Sequence, residues 1–347
     1  MPSFTAEQLD NIYNSTLDFY MKKGKPQDQH IQDKPLLSLM RKKMKTIPGG
    51  KGRVEMPVVM ETQTTLQGFQ NDDPVAYGNP AKNRRVSWPW FLFHAGIQFT
   101  KDELLRDGIS ITDSTTGKST STHSDRELTM VANIFSEKIR DMDEGYDAGM
   151  NNLFWRDGTQ SAIAFPGVTG IVVDSPSSAT VIGGIDQNAN PKWRNRASLS
   201  INLGAGPSTQ AVLRTLDYEL PQLRRYGGKP TVAFAGSDMI DRLKAEYREK
   251  GVYTQNGFTA DKDLSAGDIQ FDKLAIRYDP TLDDLGYSKR LYVLDLEHMW
   301  PFALEGEDGQ MHNPARPENK YVFYKAKTFA GGMACNQRNG NGVYAFA

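Results

Sequence analysis

SDRELTMVANIFSEKIRDMDEGYDAGMNNLFW, from Ser124 to Trp155, is the stretch whose reading decides the fold. Ser124 and Glu127 stand at capping-box spacing, in which the serine oxygen accepts a backbone N–H of the first turn and the glutamate reaches back. Leu128, Val131, Phe135, Ile139, Met142, Tyr146, Met150 and Leu153 then recur at steps of three or four residues. Their mean spacing is close to the helical period of about 3.6, so the apolar stripe stays on one face of a straight helix. At about 1.5 Å per residue the helix is a rod roughly 48 Å long, well beyond the ordinary helix of a globular domain. Arg126, Lys138, Arg140, Asp141, Glu144 and Asp147 occupy the opposite face, which reads as solvated or subunit-facing. Gly145 and Gly149 each cost about 1 kcal/mol against alanine, so they mark a bend or the close approach of another backbone. The helix is a structural spine with the core positions Leu128, Val131, Phe135, Ile139, Met142 and Tyr146, and it carries nothing catalytic.

Upstream, residues 5–23 form a short amphipathic helix opened by a Thr5/Gln8 capping box and stopped at Gly24. A basic run, Arg41, Lys42, Lys43 and Lys45, follows Pro35. It suits DNA phosphates or an acidic patch on a neighbour, and equally a solvated helix face. Val54, Met56, Val58 and Met60 alternate along a strand, Gln63 to Asn83 is a Gly-, Asn-, Asp- and Thr-rich tip, and Arg84 to Thr100 is the return strand. The return limb is dense in aromatics, with Trp88, Trp90, Phe91, Phe93 and Phe99. A lone two-stranded ribbon is marginal in water, and exposed aromatic area marks an interface. Trp88, Trp90, Phe91 and Phe93, with Arg84 and Arg85, are therefore the candidates for intersubunit contact; the alternative is packing inside the same chain.

Between arm and spine, Lys101–Asp107 reads as a helical turn and Ile109–Thr112 as a short strand. Beyond the spine, Gly170–Val173 reads as a strand, and 174–206 gives few signals. From 207 the pattern is α/β. A helix from Ser208 turns Val212, Leu213, Leu216, Leu220 and Leu223 inward, with Pro221 bending its last turn. Strand Thr231–Ala235 and a helix from Ser237 to Gly251 follow, then a strand over Ile269–Tyr278 with one slip or bulge. Leu291–Leu296, Tyr321–Ala326 and Val343–Ala347 close the series as strands.

Composition narrows the function. The 347 residues hold 41 Lys plus Arg against 42 Asp plus Glu, a net charge of −1, so no global basic field draws the chain to nucleic acid. An apolar fraction of 38% with 31 Gly and 18 Pro implies loops and extended arms whose burial neighbouring copies complete, or else a loop-rich monomer. The single cysteine, Cys335, excludes an intramolecular disulfide and a multi-cysteine zinc site. No secretory signal or membrane-length apolar run is expected, and the five histidines are scattered without ligand spacing. Thr112 to Thr120, TDSTTGKST, approaches the phosphate-loop pattern, but Thr112 stands where its first glycine belongs, and no helix opens at Lys118. No nucleophile elbow or dinucleotide fingerprint is present. The reading assigns no catalytic, cofactor-binding or metal residue, leaving a phosphate-loop-like nucleotide hydrolase as a remote alternative.

The order of elements, together with Gly183-Gly184-Ile185-Asp186 and Asn190-Pro191-Lys192-Trp193-Arg194, is informative. It resembles the major capsid protein of tailed bacteriophages, whose Hong Kong-phage-type coat fold encapsulin shells share. The resemblance implies an α+β chain with an N-terminal arm over 1–50 and an extended loop over 51–100. It implies a peripheral domain from 101–165 and 291–347 around the spine, and an α/β axial domain over 166–290. It further implies self-assembly into hexamers and pentamers of an icosahedral head around double-stranded DNA, touched by non-specific contacts. A separate scaffolding protein, a portal and a decoration protein are the implied partners, with no cofactor and no membrane. The place of action is the virion, after synthesis in the host cytoplasm. An encapsulin-like compartment is the alternative within the same fold. Some relatives cross-link lysine to asparagine, for which Lys82 would be the donor here.

Overall fold

The computed structural model describes residues 31–49, 52–61, 66–71, 73–75, 77, 84–100, 125–204, 206–249, 269–312 and 322–347, with only the backbone at 99, 125–137, 249 and 322–323. The expected helix over 5–23, the turn over 101–107, the strand over 109–112, the phosphate-loop-like segment and Lys82 lie outside the described residues. Contacts divide the chain into Met1–Asp33 and Lys34–Ala347, and all the described helices and strands belong to the second unit.

That unit opens with α1 (Pro35–Lys43), β1 (Lys45–Ile47), β2 (Arg53–Val58), β3 (Arg84–Pro89), β4 (Phe91–Thr100), the spine α2 (Asp125–Trp155) and α3 (Val168–Ile171). Next come β5 (Val181–Ile182), β6 (Ile185–Asp186), β7 (Arg196–Ile201), α4 (Ala211–Arg224), β8 (Val232–Ala235) and α5 (Ser237–Glu249). The series ends with β9 (Ile269–Phe271), β10 (Leu274–Tyr278), α6 (Pro280–Asp284), β11 (Arg290–Leu294), β12 (Met299–His312), β13 (Val322–Cys335) and β14 (Gly342–Phe346).

The spine runs where its period places it. Met142, Tyr146, Met150, Phe154 and Trp155 are buried and Ile139 is half-buried, while the side chains of Leu128, Val131 and Phe135 lie outside the described residues. Its end is held by α3, where the sequence reading expects a strand. Gly167 donates to the Arg156 carbonyl at 2.8 Å and Thr169 Oγ1 to the Trp155 carbonyl at 2.7 Å, so one helical turn satisfies the spine's last carbonyls. A Cβ on Gly167 would lie 2.4 Å from the Phe154 carbonyl oxygen, which leaves room for glycine alone. Packing against a helix end thus overrides the strand preference of Val168 and Ile171.

Two sheets organise the rest. One has four strands in the order β1-β12-β13-β4, and the other six in the order β7-β14-β11-β8-β10-β9. The expected return strand over 84–100 divides at Trp90. β3 pairs with β2 from Arg53↔Pro89 to Val58↔Arg84, whereas β4 leaves the ribbon and pairs with β13 from Phe91↔Gly331 to Thr100↔Val322. The expected assignment of 291–347 to the spine's domain also changes, because β11 pairs with β8 and β14 with β7 in the six-stranded sheet. Leu291–Leu294 and Gly342–Ala345 are buried throughout, as strands inside a covered sheet must be. The slip expected near 272 is a tight turn between β9 and β10, with Asp272 and Lys273 at φ 43° and 67°. Pro221 lies inside α4, which continues to Arg224. One apolar core joins the end of the spine to the four-stranded sheet, and a second lies between α4, α5 and the six-stranded sheet.

Candidate assembly surface

The β2–β3 ribbon is anchored at its root by the aromatic limb that the sequence reading assigns to an interface. Trp88 is 1% exposed, and its Nε1 donates to the Cys335 carbonyl at 2.9 Å. Phe93 meets Phe165 edge-on with ring centroids 5.5 Å apart, while Trp90 and Phe91 are half-buried against the same core. The Trp88 ring is thus part of this chain's own core, where β3 crosses the end of β13. Of the interface candidates, Arg84 and Arg85 are exposed, and Arg85 approaches Glu55 at 3.6 Å.

Gly183-Gly184-Ile185-Asp186 seats that root. Both glycines have positive φ, 61° and 81°, in the two-residue turn joining β5 to β6. A Cβ on Gly183 would stand 3.0 Å from the Trp88 ring, and the Gly183 carbonyl accepts from the Ser87 backbone N–H at 2.9 Å. Asn190 and Trp193 lock the hairpin from behind. Asn190 Nδ2 donates to the Asp186 carbonyl at 2.7 Å, and Trp193 Nε1 to the Ile182 carbonyl at 3.0 Å. Beneath them lies Arg338, fully buried with no carboxylate partner among the described residues. Its guanidinium donates to the Ile171 carbonyl at 2.8 Å, to Asn195 Oδ1 at 2.9 Å, to the Trp193 carbonyl at 3.3 Å and to Gln187 Oε1 at 3.3 Å. Burial lowers its pKa to about 10. Five donors in a planar fork are what a cage of four neutral oxygens requires.

The spine's charged face receives α1. Lys34 pairs with Glu144, Arg41 with Asp147, and the Leu37 backbone N–H donates to Asn151 Oδ1 at 3.2 Å. Asn151 Nδ2 donates to Thr281 at 2.7 Å, and Trp155 Nε1 to the buried Asp279 at 3.0 Å. Burial raises the Asp279 pKa against the hydrogen bonds that favour its carboxylate. The basic run is divided by these contacts. Arg41 is paired, Lys45 lies 3.4 Å over the Trp300 ring, and Lys42 and Lys43 are exposed.

What the ribbon carries outward is apolar. Val59, Leu66, Phe69 and Tyr77 are exposed, Phe69 at 68% and Tyr77 at 94%. From 54 to 81 there is no Lys or Arg, while Glu55, Glu61, Asp72 and Asp73 are acidic. The Gly, Asn, Asp and Thr content alone makes this tip read as polar. Four apolar residues without helical or strand period are the sequence signal for its second character. Among the described residues no cluster could hold a metal ion, and no helix is long and apolar enough to cross a membrane.

No family model matches the sequence, and no curated protein does. Solved structures do. The capsid asymmetric unit of cyanophage A-1(L) superposes with a TM-score of 0.63 at 13% identity, covering 92% of this chain and 94% of that one. The capsid protein of Myoviridae phage XM1 gives 0.53 at 9% identity over 90% and 92%, and that of cyanophage P-SCSP1u 0.53 at 10% over 88% and 86%. Likeness at such identity is likeness of fold, and it is the fold that the sequence resemblance implies.

Proposed function

We propose that this chain, which has the fold of tailed-phage capsid proteins, is the major capsid protein of such a phage, a structural subunit that acts by self-assembly and performs no catalysis. The observation that carries the reading is the pairing of a locked root with an apolar tip. Trp88 fixes the ribbon to the body, while Val59, Leu66, Phe69 and Tyr77 stand in water at its far end. Covering one such side chain stabilises by about 1.5–3 kcal/mol, so a sister copy is the natural cover for all four. A contact between unlike surfaces of identical copies is head-to-tail, and it closes into rings when the rotation between copies divides a full turn. Hexamers and pentamers of an icosahedral head follow on this reading, with a scaffolding protein and a portal guiding closure and a decoration protein outside. Packaged double-stranded DNA would meet exposed cations such as Lys42 and Lys43 without sequence preference. The site of action would be the virion, after synthesis in the bacterial cytoplasm.

Electron microscopy of the purified chain, alone and with its scaffolding protein, tests this. Closed shells are expected, and Leu66→Ser with Phe69→Ser and Tyr77→Ser should leave folded, unassembled subunits. A solitary monomer at high concentration under both conditions would sink the reading.

A further inference from the structure

Residues 336–342 read NQRNGNG and place the dipeptide Asn-Gly twice in succession, at 339–340 and at 341–342. The fold treats the two differently. The Asn341 N–H donates to the Arg338 carbonyl at 3.0 Å, so Asn339 and Gly340 are the central pair of a tight turn between β13 and β14. Asn341 is fully buried and its amide is fully engaged: Oδ1 accepts from the Asp295 N–H at 2.8 Å, and Nδ2 donates to the Gln337 and Arg338 carbonyls at 3.1 and 3.4 Å. The glycine that follows it, Gly342, lies in β14 between its register partners Arg196 and Val293. Asn339 has none of this. Its Oδ1 is buried, neither end of its amide makes a hydrogen bond among the described residues, and the Gly340 N–H has no acceptor among them. Packing keeps position 340 a glycine, because a Cβ there would stand 3.1 Å from Asp295 Oδ2 and 3.2 Å from the Gly228 Cα. Glycine in turn leaves its own backbone nitrogen unshielded.

We propose that Asn339 is a self-modifying site, which cyclises onto Gly340 and loses ammonia, while the fold preserves Asn341. The Gly340 nitrogen gives its proton to water and bonds to Asn339 Cγ as the Cγ–Nδ2 bond breaks. Nδ2 takes a proton from water and leaves as ammonia. Water then adds to one carbonyl of the five-membered succinimide and opens it. The product at position 339 is aspartate or, with one more methylene in the main chain, isoaspartate. Water is the only co-reactant. Each conversion adds one negative charge to a chain whose formal net charge is −1, on the turn flanked by Arg338 and Asp295. The inference concerns the single folded subunit and stands apart from the assembly reading.

Incubation of the full chain, folded, at mildly alkaline pH, followed by digestion in acid and peptide mass spectrometry, tests this. Fragment ions separate position 339 from 341, which share a peptide, and the third such dipeptide, Asn256-Gly257, lies outside the described residues and is mapped on its own. Conversion at 339 should rise steadily with time and outrun conversion at 341 by at least about tenfold. In urea the protection of 341 is lost, so the two positions should convert at closely similar rates. Asn339→Gln, which would have to close a six-membered ring, should stay unmodified at 339 under native conditions, with circular dichroism confirming that the variant folds. No conversion at 339 in the folded subunit, when the same chain converts in urea, overturns the proposal. Conversion at 341 as fast as at 339 without denaturant overturns it equally, since the fold would then protect neither.

Discussion

Trp88→Ala tests whether the aromatic limb belongs to the fold or to the assembly. The ring is 1% exposed, donates to the Cys335 carbonyl at 2.9 Å and rests on Gly183, where an added Cβ would come within 3.0 Å. A buried indole removes about 150–250 Å² from water, worth about 4–6 kcal/mol at about 25 cal/mol per Å². Large-to-small truncations of this kind measure about 3–5 kcal/mol, and the stranded carbonyl adds about 1 kcal/mol. The expected loss of about 4–5 kcal/mol is a large part of a domain's stability of about 5–15 kcal/mol. Trp88→Phe keeps most of the area and loses the donor, so it should cost about 1–2 kcal/mol. Urea titration of unassembled subunits by circular dichroism, comparing midpoints, reads both effects. If Trp88→Ala moved stability by less than about 1 kcal/mol yet abolished shells, the residue would be an interface residue and the anchoring argument would fail.

Arg338→Lys should destabilise by about 3 kcal/mol or more, because one ammonium cannot reach four oxygens disposed around a planar fork; thermal unfolding checks it, and a shift within about 1 kcal/mol would refute the cage. Asp279→Asn probes pH. The folded pKa of Asp279 is raised above its unfolded value, so its contribution is fully present below the unfolded pKa and is lost as pH rises through the folded one. The native chain should therefore gain stability relative to the variant as pH falls across that window, read by urea titration at neutral and mildly acidic pH. The opposite slope would refute burial as the dominant cause.

The spine is legible in sequence because its apolar spacing repeats over eight positions with caps at its start, a signal too long to arise from a strand. The helices α4 and α5 are legible for the same reason. At Trp88 the structure favours packing inside the same chain, for a physical reason. Alternation tells which residues share a face of a strand but not what covers the face, and here β13 and the Gly183 turn cover it. Strand β12 escapes the sequence reading because Gly306 and Gly309, both with positive φ, break its alternation at two bulges. Gly183 to Trp193 carries the resemblance, but its structural task is invisible locally. Its partner Arg338 stands 145 residues away from Trp193. The membership of β11 and β14 in the six-stranded sheet is likewise a matter of long-range pairing, which sequence order alone misassigns.

The distribution of apolar residues gives the low apolar content of the chain a location. Along β3, β11 and β14 the large apolar side chains are buried or half-buried, whereas Leu92 on β4 and Ile163, Val181 and Tyr218 elsewhere in the body stay exposed. Among the described residues Val59, Leu66, Phe69, Val75 and Tyr77 are the densest run of exposed apolar side chains, and they lie beyond the paired strands of the ribbon. Trp88, held by Cys335 and Gly183, fixes the direction in which the ribbon leaves. On the self-assembly reading, rings of five and six differ in the angle between neighbours. A root packed as closely as the core tolerates little rotation, so on that reading the difference falls to the contacts between subunits and not to the Trp88 anchor.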